Sequence, residues 1–339
     1  MTKRRRRIRG VLLDLSGTLH VGETPIPGAV ESVQRLIDAG IRVRFLTNTS
    51  KVSFRQLLSQ LHRMGFSSII QPDTLWTSVM ATKHYLQKNS LRPFCLMEDT
   101  SDFTTTTTIT TTDTTKDDDG IRSASTAASL IPLDPPHNCV VVGLAPSHFH
   151  YNRLNQAFDI LRKHPKLIAI HRAFYYKAGS SSSSQKDNPP PSQEQEQQEL
   201  SLGPGGFVTC LEQASGCPPA IVMGKPSREF FHSALWQDEN DVQSDDESSS
   251  SSSSFSARHV CMVGDDIVQD IEGAQRAGIG TTVLVQTGKY QEGDETKMHE
   301  GGEPITPTAV VPSIVQAVDF ILNELQNETT TGERWRRRQ

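Results

Sequence analysis

Four short polar clusters hold the residues whose types could do chemistry: Asp14-Leu15-Ser16-Gly17-Thr18, Thr47-Asn48, Gly224-Lys225-Pro226 and Gly264-Asp265-Asp266. Together they meet the needs of phosphoryl transfer: an in-line nucleophile, positive charge against the transferring oxygens, and oxygen ligands for a hard cation. Asp14 is the candidate nucleophile, because a carboxylate can accept a phosphoryl group covalently. A turn at Gly17 would aim successive backbone N–H groups at the phosphoryl oxygens. Asp14 and Asp265 are candidates to share one Mg²⁺, which favours one or two carboxylates completed by water and substrate oxygen. Thr47 would donate a hydrogen bond and Lys225 would oppose the developing charge. Taken singly, each cluster has an ordinary explanation as a turn, a loop cap, a solvated lysine or an acidic helix start. Their order, each after an apolar run, favours the chemical reading.

Such residues must be held by elements, and the apolar pattern supplies them. Residues 11–15 read as a buried strand; Val30, Val33, Leu36 and Ile37 then keep helical spacing, between Pro27 and Gly40. Ile41, Val43 and Phe45 alternate as a second strand, and Phe54, Leu57, Leu58, Leu61 and Met64 make a helix closed by Gly65. Residues 220–223, 259–263 and 281–285 predict further strands, with helices carrying Phe230, Phe231, Ala234 and Leu235, and Ile267, Ile271, Ala274 and Ala277. Alternation of strands and helices predicts an α/β fold with a mostly parallel sheet, whose ligands bind beyond the carboxyl ends of the strands. Residues 139–142, 154–161 and 167–170 add elements of their own, so the expected division is a split core, 8–71 and 220–326, around an inserted domain, 72–219. Low-complexity segments at 100–130, 179–199 and 238–256 lack the apolar residues to offset ordering and are expected to be disordered insertions.

The 339-residue chain has 35% hydrophobic residues and a formal net charge of −5. That balance argues against a general nucleic-acid binder and for a small-molecule substrate. The basic ends, within 1–7 and 327–339, read as flexible solvated tails. No apolar stretch approaches membrane-spanning length, and the run at 11–15 is too short for a secretory core, so a cytoplasmic location is expected. The five cysteines are widely spaced without a CxxC pair, which indicates neither a disulfide framework nor a zinc site.

With these motifs the chain resembles the haloacid dehalogenase superfamily. The resemblance rests on residues 11–19, 44–48, 222–226 and 262–266, and extends through 141–145, 173–177, 202–204 and 287–289. It implies a Rossmannoid core with helices on both faces and a large α/β cap between the second and third motifs. It further implies Asp14 as nucleophile and Mg²⁺ ligand, the Ser16 backbone carbonyl and Asp265 as further Mg²⁺ ligands, Thr47 and Lys225 as phosphoryl-binding groups, and Asp266 and Asp270 as supporting acids. Asn48 would help hold the site. Cap residues Lys177 and His171 are candidates to meet an anionic substrate, and cap surfaces are candidates for homodimer contacts, although the sequence has no interface pattern.

The departure from the family pattern is Ser16, where most phosphatases of the superfamily carry a second aspartate that protonates the leaving group. A hydroxyl does not titrate near neutrality, so general acid catalysis, worth about 10²–10⁴-fold, is missing from this position. The expected reaction is therefore Mg²⁺-dependent phosphate hydrolysis through an aspartyl-phosphate intermediate, on leaving groups needing little protonation: pyrophosphate or N-linked phosphate. The alternatives are a catalytically weak binding or regulatory protein, and dehalogenation at carbon, which needs no metal.

Overall fold

The structure is a computed structural model and describes residues 8–50, 52–104, 131–177, 200–236, 256–298 and 302–336. Six strands form the larger sheet in the order Ala309–Val311, Thr281–Val285, Val260–Gly264, Gly10–Asp14, Arg42–Thr47, Leu75–Thr77, every pairing parallel. Gly10–Asp14 is buried along its whole length, as expected of a central parallel strand covered on both faces. Its side chains alternate between two cores. Val11 and Leu13 join Val33 and Leu36 of helix Ala29–Asp38, Phe54, Leu57 and Leu61 of helix Phe54–Arg63, and Ile314, Val318 and Ile321 of helix Ile314–Arg336. Leu12 points the other way, among Leu46, Trp76, Phe230, Phe231 and Ala274. This is a mixed α/β fold with helices on both faces.

Four parallel strands form a second sheet, in the order Ile221–Val222, Leu167–Ala169, Cys139–Val142, Pro93–Leu96. On one face Val140, Val142 and Leu167 pack against Ala157 and Leu161 of helix Tyr151–Lys163 and Val208 and Leu211 of helix Gly205–Ser215. On the other, Val141 and Ile168 belong to the same core as Leu12 and Trp76, so one apolar layer joins the two sheets.

Two strands lie in the sheet opposite to the one expected. Leu75–Thr77 falls within 72–219 yet pairs with Arg42–Thr47 as the edge of the larger sheet. Ile221–Val222, assigned to the core from sequence, pairs with Leu167–Ala169 in the smaller one. Both are two or three residues long, and so short an apolar run carries no record of its hydrogen-bonding neighbour. Residues 179–199 and most of the other two low-complexity segments lie outside the described residues, as does the tail 1–7. The start of the first segment is ordered: Ser101–Thr104 makes a helical turn that buries Phe103, and the Asp102 carboxylate accepts the Phe54 amide at 3.0 Å. At the other end, helix Ile314–Arg336 runs on beyond residue 326, because backbone pairing propagates from the turns nucleated by packed Ile314, Ala317 and Ile321. Among the described residues no helix is long and apolar enough to cross a membrane.

Candidate active site

Asp14 ends the central strand, and the chain leaves it through Gly17 at φ 96°, a left-handed conformation that glycine adopts without strain. Close approach also requires glycine here, since a methyl group on Gly17 would overlap the Asp265 carboxylate. Asp265 follows the neighbouring strand Val260–Gly264 and is 2% exposed. Asp266 then caps the next segment, its Oδ1 accepting the amides of Val268 at 3.1 Å and Gln269 at 2.9 Å. That segment, Ile267–Glu272, is π-helical and brings Asp270 back against Gly264, where any side chain would collide with the carboxylate. The Asp266 amide donates to Asp270 Oδ2 at 3.2 Å.

Lys225 completes the cluster. Its Nζ donates to Asp14 Oδ1 and, at 2.7 Å, to Asp270 Oδ1, with the lysine side chain only 5% exposed. Thr18 Oγ1 donates to the other Asp14 oxygen at 3.2 Å. Asn48 holds the lysine backbone from both sides: Lys225 N–H donates to Asn48 Oδ1 at 2.8 Å, and Asn48 Nδ2 donates to the Lys225 carbonyl at 2.9 Å. Thr47 is buried, its Oγ1 donating to Thr49 Oγ1 at 3.0 Å and accepting the Thr49 amide at 3.1 Å. The Lys289 amide donates to Asp265 Oδ2 at 2.6 Å, while its Nζ reaches Asp266 at 3.2 Å.

Burial sets the electrostatics. It pushes the Asp14 carboxyl above its ordinary value against the pull of Lys225, and raises Asp265 to about 6 and Asp270 to about 7. Burial opposes the charge on Lys225, but the Asp14 and Asp270 carboxylates outweigh it and raise the lysine. One oxygen from each of Asp14, Asp265 and Asp270 lies within 4.8 Å of the others. Fully ionised, three carboxylates against one ammonium carry two negative charges in excess, a repulsion that a cation would relieve, and the donors are all hard oxygens. A divalent Mg²⁺ fits that donor set and that charge.

The cluster lines a cavity of about 950 Å³ together with Ser16, Thr47, Asn48, His171, Gln269 and Lys289. Nearly all the residues proposed from sequence therefore meet at one place, drawn from the carboxyl ends of three neighbouring parallel strands and the loop at Lys225. Ser16 is solvent-exposed on the cavity wall. His171 enters from the end of the smaller sheet, its Nε2 3.1 Å from Ser50 Oγ. Lys177 ends the short strand Tyr175–Lys177, and its side chain lies outside those described. Asp270, expected to be a supporting acid, touches Lys225 directly, and Asp266 caps the segment that carries it. Lys289, Arg172, Arg228 and Arg276 were not foreseen; Thr287-Gly288-Lys289 after a strand was the one signal in the sequence for any of them.

Two family models match the chain, one described as haloacid dehalogenase-like hydrolase over residues 11–106 and one as HAD-hydrolase-like over residues 222–317. Haloacid dehalogenase-like hydrolase domain-containing protein 2 from Rattus norvegicus is 36% identical over 323 residues, covering 95% of this chain and 98% of that one. Phospholysine phosphohistidine inorganic pyrophosphate phosphatase from Homo sapiens is 33% identical over 326 residues, covering 94% and 96%. Among solved structures, p-nitrophenyl phosphatase from Archaeoglobus fulgidus superposes with a TM-score of 0.65 at 21% identity, over 92% of this chain and 99% of that one.

Proposed function

The chain belongs to the haloacid dehalogenase-like hydrolases, and on that premise we propose that it is a Mg²⁺-dependent phosphohydrolase that forms an aspartyl phosphate on Asp14. The observation that carries this reading is the buried Lys225, held between Asp14 and Asp270 beside Asp265, on a cavity large enough for a small phosphorylated compound. Asp14, Asp265 and the Ser16 backbone carbonyl would hold the metal, with Asp270 adjacent; bound Mg²⁺ supplies neutralisation of phosphoryl oxygen charge.

The chain's own residues account for the remaining steps. An Asp14 oxygen bonds to phosphorus as the bond to the leaving group breaks, and water then attacks phosphorus and frees the carboxylate. Thr18 and Lys225 restrain Asp14, so the nucleophile is oriented before substrate arrives. Lys225 and the Thr47 hydroxyl, which turns from Thr49 to do so, receive the phosphoryl oxygens, in a setting where burial makes each contact stronger than in water. Asn48 acts through Lys225 by fixing its backbone.

Ser16 shapes the choice of substrate. With no titrating group there, leaving groups that need no proton from the enzyme are favoured, which supports pyrophosphate, whose leaving phosphate is already stable as an anion, or N-phosphorylated compounds, whose nitrogen carries its own proton. The name of the human relative includes both kinds. The test is phosphate release from pyrophosphate, phospholysine and a panel of sugar phosphates, with and without Mg²⁺, beside an Asp14→Asn control. Mg²⁺-dependent release that vanishes in the control supports the reading. Release no greater than the control from every compound would replace it with the binding-protein alternative.

A further inference from the structure

Five permanent cations line the cavity: Arg172, Lys225, Arg228, Arg276 and Lys289. Four of them already face carboxylates. Arg172 pairs with Glu212 at 2.7 Å, Lys225 with Asp14 and Asp270, Arg276 with Glu272 at 2.5 Å, and Lys289 with Asp266 at 3.2 Å. Arg228 differs. Its Nε lies 3.4 Å from His232 Nε2, but that ring nitrogen is also 2.9 Å from the Ala277 carbonyl. A carbonyl only accepts, so the imidazole nitrogen carries its proton toward Ala277 and cannot take one from the guanidinium. Among the described residues Arg228 has no anionic partner, and its side chain is exposed on the cavity wall.

Arg228 also stands only three residues after Lys225, at most about 10–11 Å of extended chain away. Between them Ser227 caps the helix Arg228–Ser233, accepting the Phe230 amide at 3.2 Å and fixing where the arginine begins. A guanidinium without an anionic partner, on the wall of the cavity that the phosphoryl-binding lysine also lines, is suited to a second anionic group on the same ligand, which it can grip with two parallel N–H bonds.

We propose that Arg228 binds a second phosphoryl group on the leaving side of the substrate, making this chain selective for phosphoanhydrides over compounds with a single phosphoryl group. The inference rests on the phosphohydrolase reading and narrows it: it separates pyrophosphate from N-phosphorylated side chains, which bring no second phosphoryl charge.

The test uses the full chain, with Arg228→Gln and Arg228→Lys variants. In the presence of Mg²⁺, the ratio of kcat/KM for pyrophosphate to that for p-nitrophenyl phosphate should fall about 10- to 100-fold in Arg228→Gln, the range expected for one or two charged hydrogen bonds, and recover in part in Arg228→Lys. An unchanged ratio overturns the proposal. Calorimetry on the Asp14→Asn protein gives a readout independent of turnover: pyrophosphate should bind more tightly than inorganic phosphate, and adding Arg228→Gln should erase that preference. If pyrophosphate shows no such preference, or keeps it without Arg228, the proposal is wrong. If the preference depends on Arg228 but no compound is hydrolysed by the unsubstituted chain, the phosphohydrolase reading fails while the second anion site stands.

Discussion

Replacing Lys225 by methionine removes an ammonium from between two carboxylates while keeping much of its volume. Breaking a buried ion pair in this way costs about 3–5 kcal/mol, because the partner charges stay buried without compensation. The folded variant has a way to limit that loss, by taking a proton onto Asp14, since burial already leaves Asp270 largely protonated at pH 5.5. For a carboxyl whose ordinary value is 3.8, proton uptake costs about 1.4 kcal/mol per pH unit above that value, hence about 6 kcal/mol at pH 8 but about 2 at pH 5.5. Loss of Lys225 raises the folded-state values of both acids further. The penalty is therefore present above those raised values and shrinks as pH falls toward the unfolded one. Urea unfolding in EDTA, followed by tryptophan fluorescence, should place Lys225→Met about 3–5 kcal/mol below the unsubstituted chain at pH 8 and about 2 kcal/mol below it at pH 5.5. Mg²⁺ at a hundredfold excess over its Kd should return about 2.7 kcal/mol to the variant. Equal losses at the two pH values, or a gain in stability at pH 8, would refute the electrostatic account of the cluster.

Ser16→Asp should raise kcat for an alkyl phosphate relative to pyrophosphate by up to about 10²-fold, measured as phosphate release; no relative gain removes the leaving-group explanation of Ser16. Asn48→Ala should lower kcat and cost about 1–3 kcal/mol in chemical denaturation, since two hydrogen bonds to the Lys225 backbone disappear and the groups left behind belong to a buried residue. Gly17→Ala should weaken Mg²⁺ binding at least about tenfold in a calorimetric titration, because the added methyl needs both a strained φ and displacement of Asp265; a loss of a few tenths of a kcal/mol or less would show that the loop yields freely.

The sequence by itself determined the main strands and the residues at their carboxyl ends. A parallel strand covered on both faces must be apolar throughout, so a charged residue at its end, such as Asp14 after 10–13, stands out against the background. Asp265 after Val260–Gly264 is legible for the same reason. Thr47 closes Arg42–Thr47, a strand that also carries Arg42 and Arg44, and is legible by its place at the carboxyl end and its order among the other clusters. The tertiary structure decided what touches what. Nothing in the spacing of Leu75–Thr77 or Ile221–Val222 states which sheet claims them, because two or three apolar residues satisfy either neighbour equally well. Asp270 reads from the resemblance only as a supporting acid, and it is the π-helical turn that brings it against Gly264 and onto Lys225. Arg228 reads as an ordinary surface arginine until the pairing of its neighbours on the cavity wall leaves it without a carboxylate. Local pattern records burial and chain direction, which a residue senses through its own neighbours; the pairing of charges across 45 or 211 positions exists only once the chain has closed on itself.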